Sequence, residues 1–129
     1  MIRLETGSLS PEQLDSLFGA IPMEITFVDM EGIVRYYNRP ADMVFTRSPD
    51  NLGRNVIECH PEGSRPAVKR VLDDLRSGRL DAAEFVKQVG GRVMHIRYIA
   101  ARDGAGAYVG CLEVVQDITR IKTLEPGDA

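Results

Sequence analysis

Residues 92–119 constrain the fold most strongly, because they have the pattern of two long strands joined by a tight turn. Residues 93–101 and 108–117 are rich in β-branched and aromatic side chains, and residues 103–106 (DGAG) have the composition of a hairpin turn. Apolar residues occur on both faces of each strand, which is typical of strands covered on both sides. We therefore predict that this hairpin lies at the centre of a β-sheet.

A charged residue, Glu113, interrupts the second strand of the hairpin. Burying a carboxylate is unfavourable unless a cation or hydrogen-bond donors compensate for the lost water. Arg54, His60, a tyrosine hydroxyl or a bound molecule could supply that compensation. A Glu–Arg or Glu–Tyr pair within the chain is the interpretation we favour, because proteins usually satisfy their own buried polar groups. Recognition of a ligand by Glu113 remains the alternative.

The N-terminal region predicts one short helix. Ser10 followed by Pro11, with Gln13 three residues after the serine, is typical of a capped helix start, and we place the helix at residues 10–19. Its spacing gives one apolar stripe, which comprises Leu14, Leu17, Phe18 and Ile21.

The middle of the chain predicts strands on both sides of a helical segment. Residues 23–29, 33–38 and 81–89 have strand patterns, residues 41–45 suit one helical turn, and an amphipathic helix runs from Ser64 to Gly78. This order predicts an α+β fold with a five-stranded antiparallel sheet. We divide the chain into a flexible arm (1–8), one domain (9–121) and a flexible tail (122–129).

Composition excludes some classes of function. The formal net charge of −3 argues against nucleic-acid binding. The absence of a long apolar run and of a secretory signal predicts a cytoplasmic protein without membrane association. Cys59 and Cys111 are expected to be free thiols in that compartment. No nucleophile elbow, phosphate-binding loop or metalloprotease motif occurs, so we do not expect an enzyme.

The order of elements, together with several motifs, resembles a PAS domain over roughly residues 12–121. The motifs are Val34-x-Tyr36-x-Asn38, Leu52-Gly53-Arg54-Asn55, Arg102-Asp103-x-x-Gly106 and Asp117-Ile118-Thr119. The segment Cys59-His60-Pro61 and the runs HIRY (95–98) and LEVVQ (112–116) are similar to the PAS module attached to hemerythrin-like domains in proteins of undetermined function. The resemblance implies a non-catalytic sensory or signal-relay module, with small helices over one sheet face and a flanking N-terminal helix.

The resemblance also implies roles for individual residues. The inward face of the hairpin would line a ligand cavity, with Arg54 and His60 nearby; its residues are Met94, Ile96, Tyr98, Cys111, Glu113 and Val115. A homodimer would form through the helix and the outer face, at Leu14, Leu17, Phe18, Leu112 and Val114. Asp117 and Thr119 would pass the signal to an unidentified partner protein.

Cofactors can be weighed against the same resemblance. Flavin is not expected, because Val56 stands where the photosensory members carry their reactive cysteine after Gly-Arg-Asn. Haem or a metal ion could be held by His60, with Cys59 and Glu113 as further donors of suitable type. The alternatives are a structural His60 bonded to backbone and a ligand-free interaction module with a filled core.

Overall fold

A computed structural model of the chain describes residues 1–127. Seven strands and two α-helices occur in this part of the chain: β1 Ile2–Leu4, β2 Gly7–Leu9, α1 Pro11–Ala20, β3 Glu24–Asp29, β4 Val34–Tyr37, α2 Arg65–Ser77, β5 Ala82–Val89, β6 Arg92–Arg102 and β7 Tyr108–Asp117. The last five strands form one antiparallel sheet in the order β4-β3-β7-β6-β5, so the predicted α+β fold and its five-stranded sheet are confirmed.

The register of the sheet defines two faces. Tyr98 lies opposite Glu113, and Ile96 lies opposite Val115, across β6 and β7. On the other side of β7, Glu113 lies opposite Thr26. We use "inner face" for the side that carries these residues and "outer face" for the side that carries Leu112 and Val114, because neighbouring residues of a strand point to opposite sides.

Helix α2 covers part of the inner face. Gly78 ends the helix in the left-handed conformation (φ 81°), which glycine adopts without strain. Leu72 and Leu75 are buried against Val28 and Cys111 of the sheet. Helix α2 contacts β6 and β7, and this core cluster lies towards the end of the sheet that carries Val28 and Cys111. Glu24 lies at the other end of β3.

Helix α1 begins with the predicted capping box. The Gln13 amide donates to Ser10 Oγ at 3.0 Å, and the Ser10 amide donates to Gln13 Oε1 at 2.8 Å. The ring of Phe18 packs against Tyr36 with centroids 5.5 Å apart. Tyr36 lies opposite Phe27 on the outer face, so α1 contacts that face near the β4 edge.

One prediction about secondary structure is wrong, and one segment has regular structure that the sequence did not reveal. In the arm predicted at residues 1–8, Ile2–Leu4 pairs with Gly7–Leu9 as an exposed two-stranded hairpin. Residues 41–45 do not form a helical turn. Asp42 has a left-handed backbone conformation (φ 63°), which interrupts a helix. The amides that follow donate hydrogen bonds to a side chain from another part of the sequence.

The predicted tail is only partly described. Ile121–Thr123 forms a turn of 3-10 helix, residues 124–127 have no regular structure, and residues 128 and 129 lie outside the described part. Cys59 and Cys111 are both free thiols, as predicted. Within residues 1–127, the helices are too short or too polar to cross a membrane.

Candidate functional site

A buried ion-pair cluster lies on the inner face, away from the apolar core. Arg47 Nη1 donates to Glu24 Oε1 at 2.8 Å, and Arg47 Nη2 donates to Glu113 Oε1. The three side chains are 13, 6 and 15% exposed in the order Arg47, Glu24, Glu113. Two carboxylates from adjacent strands therefore share one guanidinium group, shielded from water.

The Glu24–Arg47–Glu113 cluster holds an irregular segment on the sheet. We name residues 40–48 the cap loop. The amides of Val44 and Phe45 donate to Glu24 Oε2 and Oε1 at 2.8 and 3.0 Å. Glu24 thus satisfies backbone donors that a helical turn would have used, which explains why the cap loop is not helical.

Two hydroxyl groups flank Glu113 across the sheet. Tyr98 on β6 and Thr26 on β3 are its direct neighbours in register. Burial raises the pKa of Tyr98, and the charge of Glu113 and hydrogen bonding to it raise that pKa further. Thr26 is 6% exposed, and its Oγ1 has no hydrogen-bond partner among the described residues.

Cys111 is the neighbour of Glu113 towards the apolar core. Burial, and then the charge of Glu113, raise the pKa of the Cys111 thiol to about 12. A thiol that stays protonated at neutral pH is a poor nucleophile and a poor metal ligand. Cys111 therefore acts as an apolar core residue.

A small cleft leads from the surface to Glu24. It has a volume of about 210 Å³. Its lining includes Glu24, Pro40, Asp42, Val44, Val115 and Asp117. Arg92 lies beside two of these carboxylates, with Nη2 3.2 Å from Asp42 and Nη1 3.7 Å from Asp117. We name this feature the acidic cleft.

A larger cleft, of about 480 Å³, lies between α1, β4 and a turn of 3-10 helix, Pro49–Asn51. Its lining includes Asp15, Arg35, Tyr36, Tyr37, Arg39 and Leu52. Its charged residues are of both signs, and Arg35 already pairs with Asp29 at 2.6 Å. With Arg35 paired to Asp29, the remaining charges of the lining, Asp15 and Arg39, balance each other.

The sequence placed six residues of the hairpin on one face, and the register agrees. Met94, Cys111 and Val115 are buried there, while Ile96, Tyr98 and Glu113 are partly buried. Arg54, however, is exposed, and its described contacts are those of its backbone. The cation of Glu113 is Arg47, so the expected Glu–Arg pair exists with a partner that the sequence did not reveal.

Glu24 and Arg47 are the site residues that sequence reasoning missed. Arg47 lies 23 residues from Glu24 and 66 from Glu113, so no local pattern joins them. The one available signal was Glu24 itself, a carboxylate at the start of an apolar strand.

His60 has a backbone partner. Its Nδ1 lies 2.8 Å from the carbonyl oxygen of Val56, at the end of a 3-10 turn (Val56–Cys59). Neither cleft is lined by His60. Residues 1–127 contain no group of three His, Cys, Asp or Glu side chains placed to hold a metal ion. The Nδ1 contact fits the interpretation of His60 as a structural residue bonded to backbone.

Hydrogen bonds join the residues at the end of β7 to the start of β6. Asp117 Oδ1 accepts hydrogen bonds from Thr119 N at 3.0 Å and from Thr119 Oγ1 at 2.6 Å. Thr119 Oγ1 in turn accepts one from the Val93 amide at 2.8 Å, and the Ile118 amide donates to the Val93 carbonyl at 2.9 Å. Asp117 and Thr119 thus hold the end of β7 against the start of β6, beside the acidic cleft.

The residues predicted to form the dimer interface differ in their exposure to solvent. Leu17 is 46% exposed, and Leu14, Phe18 and Leu112 are partly buried. Val114 is only 5% exposed within a single chain. Val114 therefore has almost no surface to offer a second copy, and its assignment to the interface is corrected.

Comparison with known proteins gives one family and several related structures. The family described as "PAS domain" matches residues 14–119. A solved C-terminal domain from Streptococcus mutans is 40% identical, with a TM-score of 0.89 and 96% of each chain covered. No curated protein matches the chain.

More distant structures share the fold. A PAS domain from Colwellia psychrerythraea is 16% identical, with a TM-score of 0.59 over 84% of this chain and 97% of that one. A sensory box sensor histidine kinase from Vibrio cholerae is 16% identical, with a TM-score of 0.58 over 82% and 89%.

Proposed function

Because the chain belongs to the PAS domain family, whose members are sensory modules, we propose that it is a non-catalytic relay domain that responds to a small ligand at the Glu24–Arg47–Glu113 cluster. The observation that carries this proposal is the position of the cluster. It joins the cap loop to β3 and to the central strand, β7, so a change at the cluster affects the cap loop and both strands.

Strand β7 connects the cluster to the exit. Glu113 and Asp117 lie four residues apart on this strand, on the same face. A shift of β7 that accompanies ligand binding would alter the bonds of Thr119 to Asp117 and to the Val93 amide. Segments held by a few exposed hydrogen bonds open most easily. Residues 117–119 are such a segment, so they are suited to respond to a shift of β7.

Output through a partner protein and formation of a homodimer complete the proposal. Leu17 on α1 and Leu112 on the outer face supply apolar surface for a second copy, in line with the exposure of Leu17. A hemerythrin-like protein is one candidate partner, since the Cys59-His60-Pro61 segment and the runs at 95–98 and 112–116 resemble modules attached to such domains.

Native mass spectrometry of gently purified protein tests the ligand and the dimer together. We expect a dimer that carries a small adduct, and a monomer when Leu17 is replaced by Glu; Leu80→Glu, at another exposed leucine (39%), is the control. Hydrogen exchange at the Val93 and Thr119 amides should change when the adduct is removed. An adduct whose removal leaves both amides unchanged would contradict the relay function.

A further inference from the structure

The edge of the sheet at β5 is open. β5 is the last strand in the order β4-β3-β7-β6-β5, and it pairs with β6 without a break from Ala82 to Val89. Most of its residues are exposed, including Phe85 (48%) and Val86 (64%). Because neighbouring residues of a strand point to opposite sides, one large apolar side chain is exposed on each face of this edge.

The other edge of the sheet, at β4, is closed by the chain itself. β4 has four residues, and its pairing with β3 is irregular. The Val34 amide donates to the Arg54 carbonyl at 2.9 Å, and the Gly53 amide donates to the Val34 carbonyl at 2.8 Å. Proteins usually protect a sheet edge by shortening, irregularity or cover, because bare backbone groups there can pair with another strand. Within residues 1–127, no segment gives β5 a corresponding cover.

The backbone groups that β5 leaves free can be identified from its register. The Ala100 amide donates to the Asp81 carbonyl at 2.9 Å, so these two residues form a hydrogen-bonded pair. Bonded and non-bonded pairs alternate along an antiparallel ladder, and the residues between the bonded ones turn their backbone groups away. The four outward residues, whose amides and carbonyls have no backbone partner within residues 1–127, are therefore Ala82, Glu84, Val86 and Gln88.

We propose that β5 pairs antiparallel with β5 of a second copy, about a two-fold axis between the two Phe85 residues, and so joins two five-stranded sheets into one. In this register Glu84 lies opposite Val86 of the copy, and Ala82 lies opposite Gln88. Each of these pairs is hydrogen-bonded and occurs twice, so all the outward amides and carbonyls of both strands find a partner. A strand edge that complements itself in this way forms a contact between identical surfaces, which closes as a dimer.

The side chains agree with this register. Phe85 meets its copy in a non-hydrogen-bonded pair, where opposing side chains approach most closely, and aromatic pairs across strands are stabilising. Each Phe85 ring packs on Tyr98 with centroids 6.1 Å apart, so the contact extends a row of aromatic rings across the axis. Lys87 lies opposite the small side chain of Ala83. Like charges therefore do not face each other directly.

Moving the axis to Val86 gives a less favourable register. It satisfies fewer outward groups, because Ala82 then reaches past the end of β5 in the copy. It also sets Lys87 diagonally opposite its own copy, where like charges repel. Glu84 takes the corresponding diagonal position in the proposed register, but its carboxylate lies 2.9 Å from His95 Nε2 on β6, which draws it away from the edge.

This contact is separate from the proposed relay function and from the proposed dimer at α1. It involves neither the Glu24–Arg47–Glu113 cluster nor α1, which contacts the sheet near the β4 edge. A contact between two strand edges is small, and small interfaces associate weakly. We therefore expect β5 pairing at higher protein concentrations than association through Leu17, and substitutions on β5 and at Leu17 separate the two.

Sedimentation velocity of the Leu17→Glu protein isolates the β5 contact. We expect its mass to rise from one chain to two between roughly 10 and 500 µM, as for a small interface. Adding Val86→Pro removes an outward amide, which a sheet edge tolerates, and should raise Kd at least tenfold. Val86→Thr keeps the amide and is the matched control. A Leu17→Glu protein that stays monomeric throughout would leave this edge to a strand of another protein and overturn the proposal, as would equal Kd values for the proline and threonine variants.

Disulfide trapping tests the register without altering the backbone. Ala83 and Lys87 of the two copies should face each other at a Cα separation of about 4.5 Å, which suits a disulfide. Cys59→Ser provides the background, and Cys111 is only 1% exposed. Under mild oxidation a mixture of the Ala83→Cys and Lys87→Cys proteins should cross-link at least tenfold faster than either protein alone. Equal rates for Lys87→Cys alone, or no cross-link in the mixture, would overturn the proposed pairing.

Discussion

Thr119 Oγ1 accepts a hydrogen bond from the Val93 amide at 2.8 Å, and this contact fastens the end of β7 to the start of β6. The same oxygen donates to Asp117 Oδ1 at 2.6 Å. One hydroxyl therefore links two strands and fixes a carboxylate that lines the acidic cleft. The Asp-Ile-Thr motif, which the sequence singled out, thus joins the ends of two neighbouring strands.

Replacing Thr119 by Val should raise the pKa of Asp117. Hydrogen bonds from the hydroxyl and amide of Thr119 hold that pKa below its usual value, with Arg92 contributing less. An acid whose folded pKa is depressed stabilises the fold above its unfolded pKa of about 3.9, and this contribution is lost as pH falls through the folded value. The variant should therefore lose less stability than the wild type on acidification below about pH 4.

Carbon-detected NMR titration of the Asp117 carboxyl measures this pKa directly. Thr123→Val is the matched control, because Thr123 Oγ1 donates to the Arg120 carbonyl and has no described contact with Asp117. If the Asp117 titration is the same in Thr119→Val as in the wild type, the side-chain hydrogen bond is not the cause of the shift.

Replacing Arg47 by Met should strongly destabilise the fold. The variant leaves Glu24 and Glu113 buried without their cation, and the loss of one partner from a buried ion pair typically costs about 3–5 kcal/mol. Urea denaturation followed by circular dichroism measures the free energy of unfolding. Arg70→Met, on the exposed side of α2, should cost less than about 0.5 kcal/mol.

The double variant Arg47→Met/Glu113→Gln identifies the origin of that cost. Removing one carboxylate should recover part of the lost stability, because the two residues interact directly. Additive effects of the two substitutions would mean that the ion pair is not what stabilises the cap loop.

Replacing Asn38 by Ala should loosen the junction of α1, β3 and β4. Asn38 is 2% exposed; its Oδ1 accepts from the Ile25 amide at 2.7 Å, and its Nδ2 donates to the Phe18 and Met23 carbonyls at 2.9 Å. Leaving these buried groups without partners should cost about 2–4 kcal/mol in chemical denaturation. Asn51→Ala, which removes an exposed cap, should cost about 1 kcal/mol or less, and an equal loss in both would refute this ranking.

Replacing Gly110 by Ala should strain the centre of the sheet. A Cβ at this position would lie 2.3 Å from the Val28 carbonyl oxygen and 2.7 Å from Phe27 Cζ, so the backbone of β3 or β7 must shift. We expect a loss of about 1–3 kcal/mol in thermal or urea unfolding. Gly104→Ala, in the hairpin turn with nothing within 4 Å, is the control, and similar losses for the two variants would argue against close packing at Gly110.

The parts of the fold that the sequence predicts correctly depend on local patterns. Alternation along β6 and β7, the capping box at Ser10 and the glycine that ends α2 each act within a few residues, and each is confirmed. The sheet follows because strands on both sides of a helical segment leave few other arrangements.

The parts that sequence reasoning missed depend on contacts between distant segments. The cap loop has a composition compatible with a helical turn, but Glu24 binds the amides of Val44 and Phe45, which lie 20 and 21 residues away. Arg47 stands in a turn-like stretch that gives no sign of burial. The N-terminal hairpin has too few apolar residues for a strand pattern, so only backbone pairing reveals it.

The order of strands has a consequence for how the domain forms during synthesis. β3, the first strand of the sheet, pairs along its full length with β7, the last, so the central ladder joins residues 24–29 to residues 110–115. Nothing can complete that ladder until the ribosome has released β7, and contacts so distant in sequence slow folding. The β7 edge of β3 therefore stays unpaired in the nascent chain until residues 110–115 have left the ribosome.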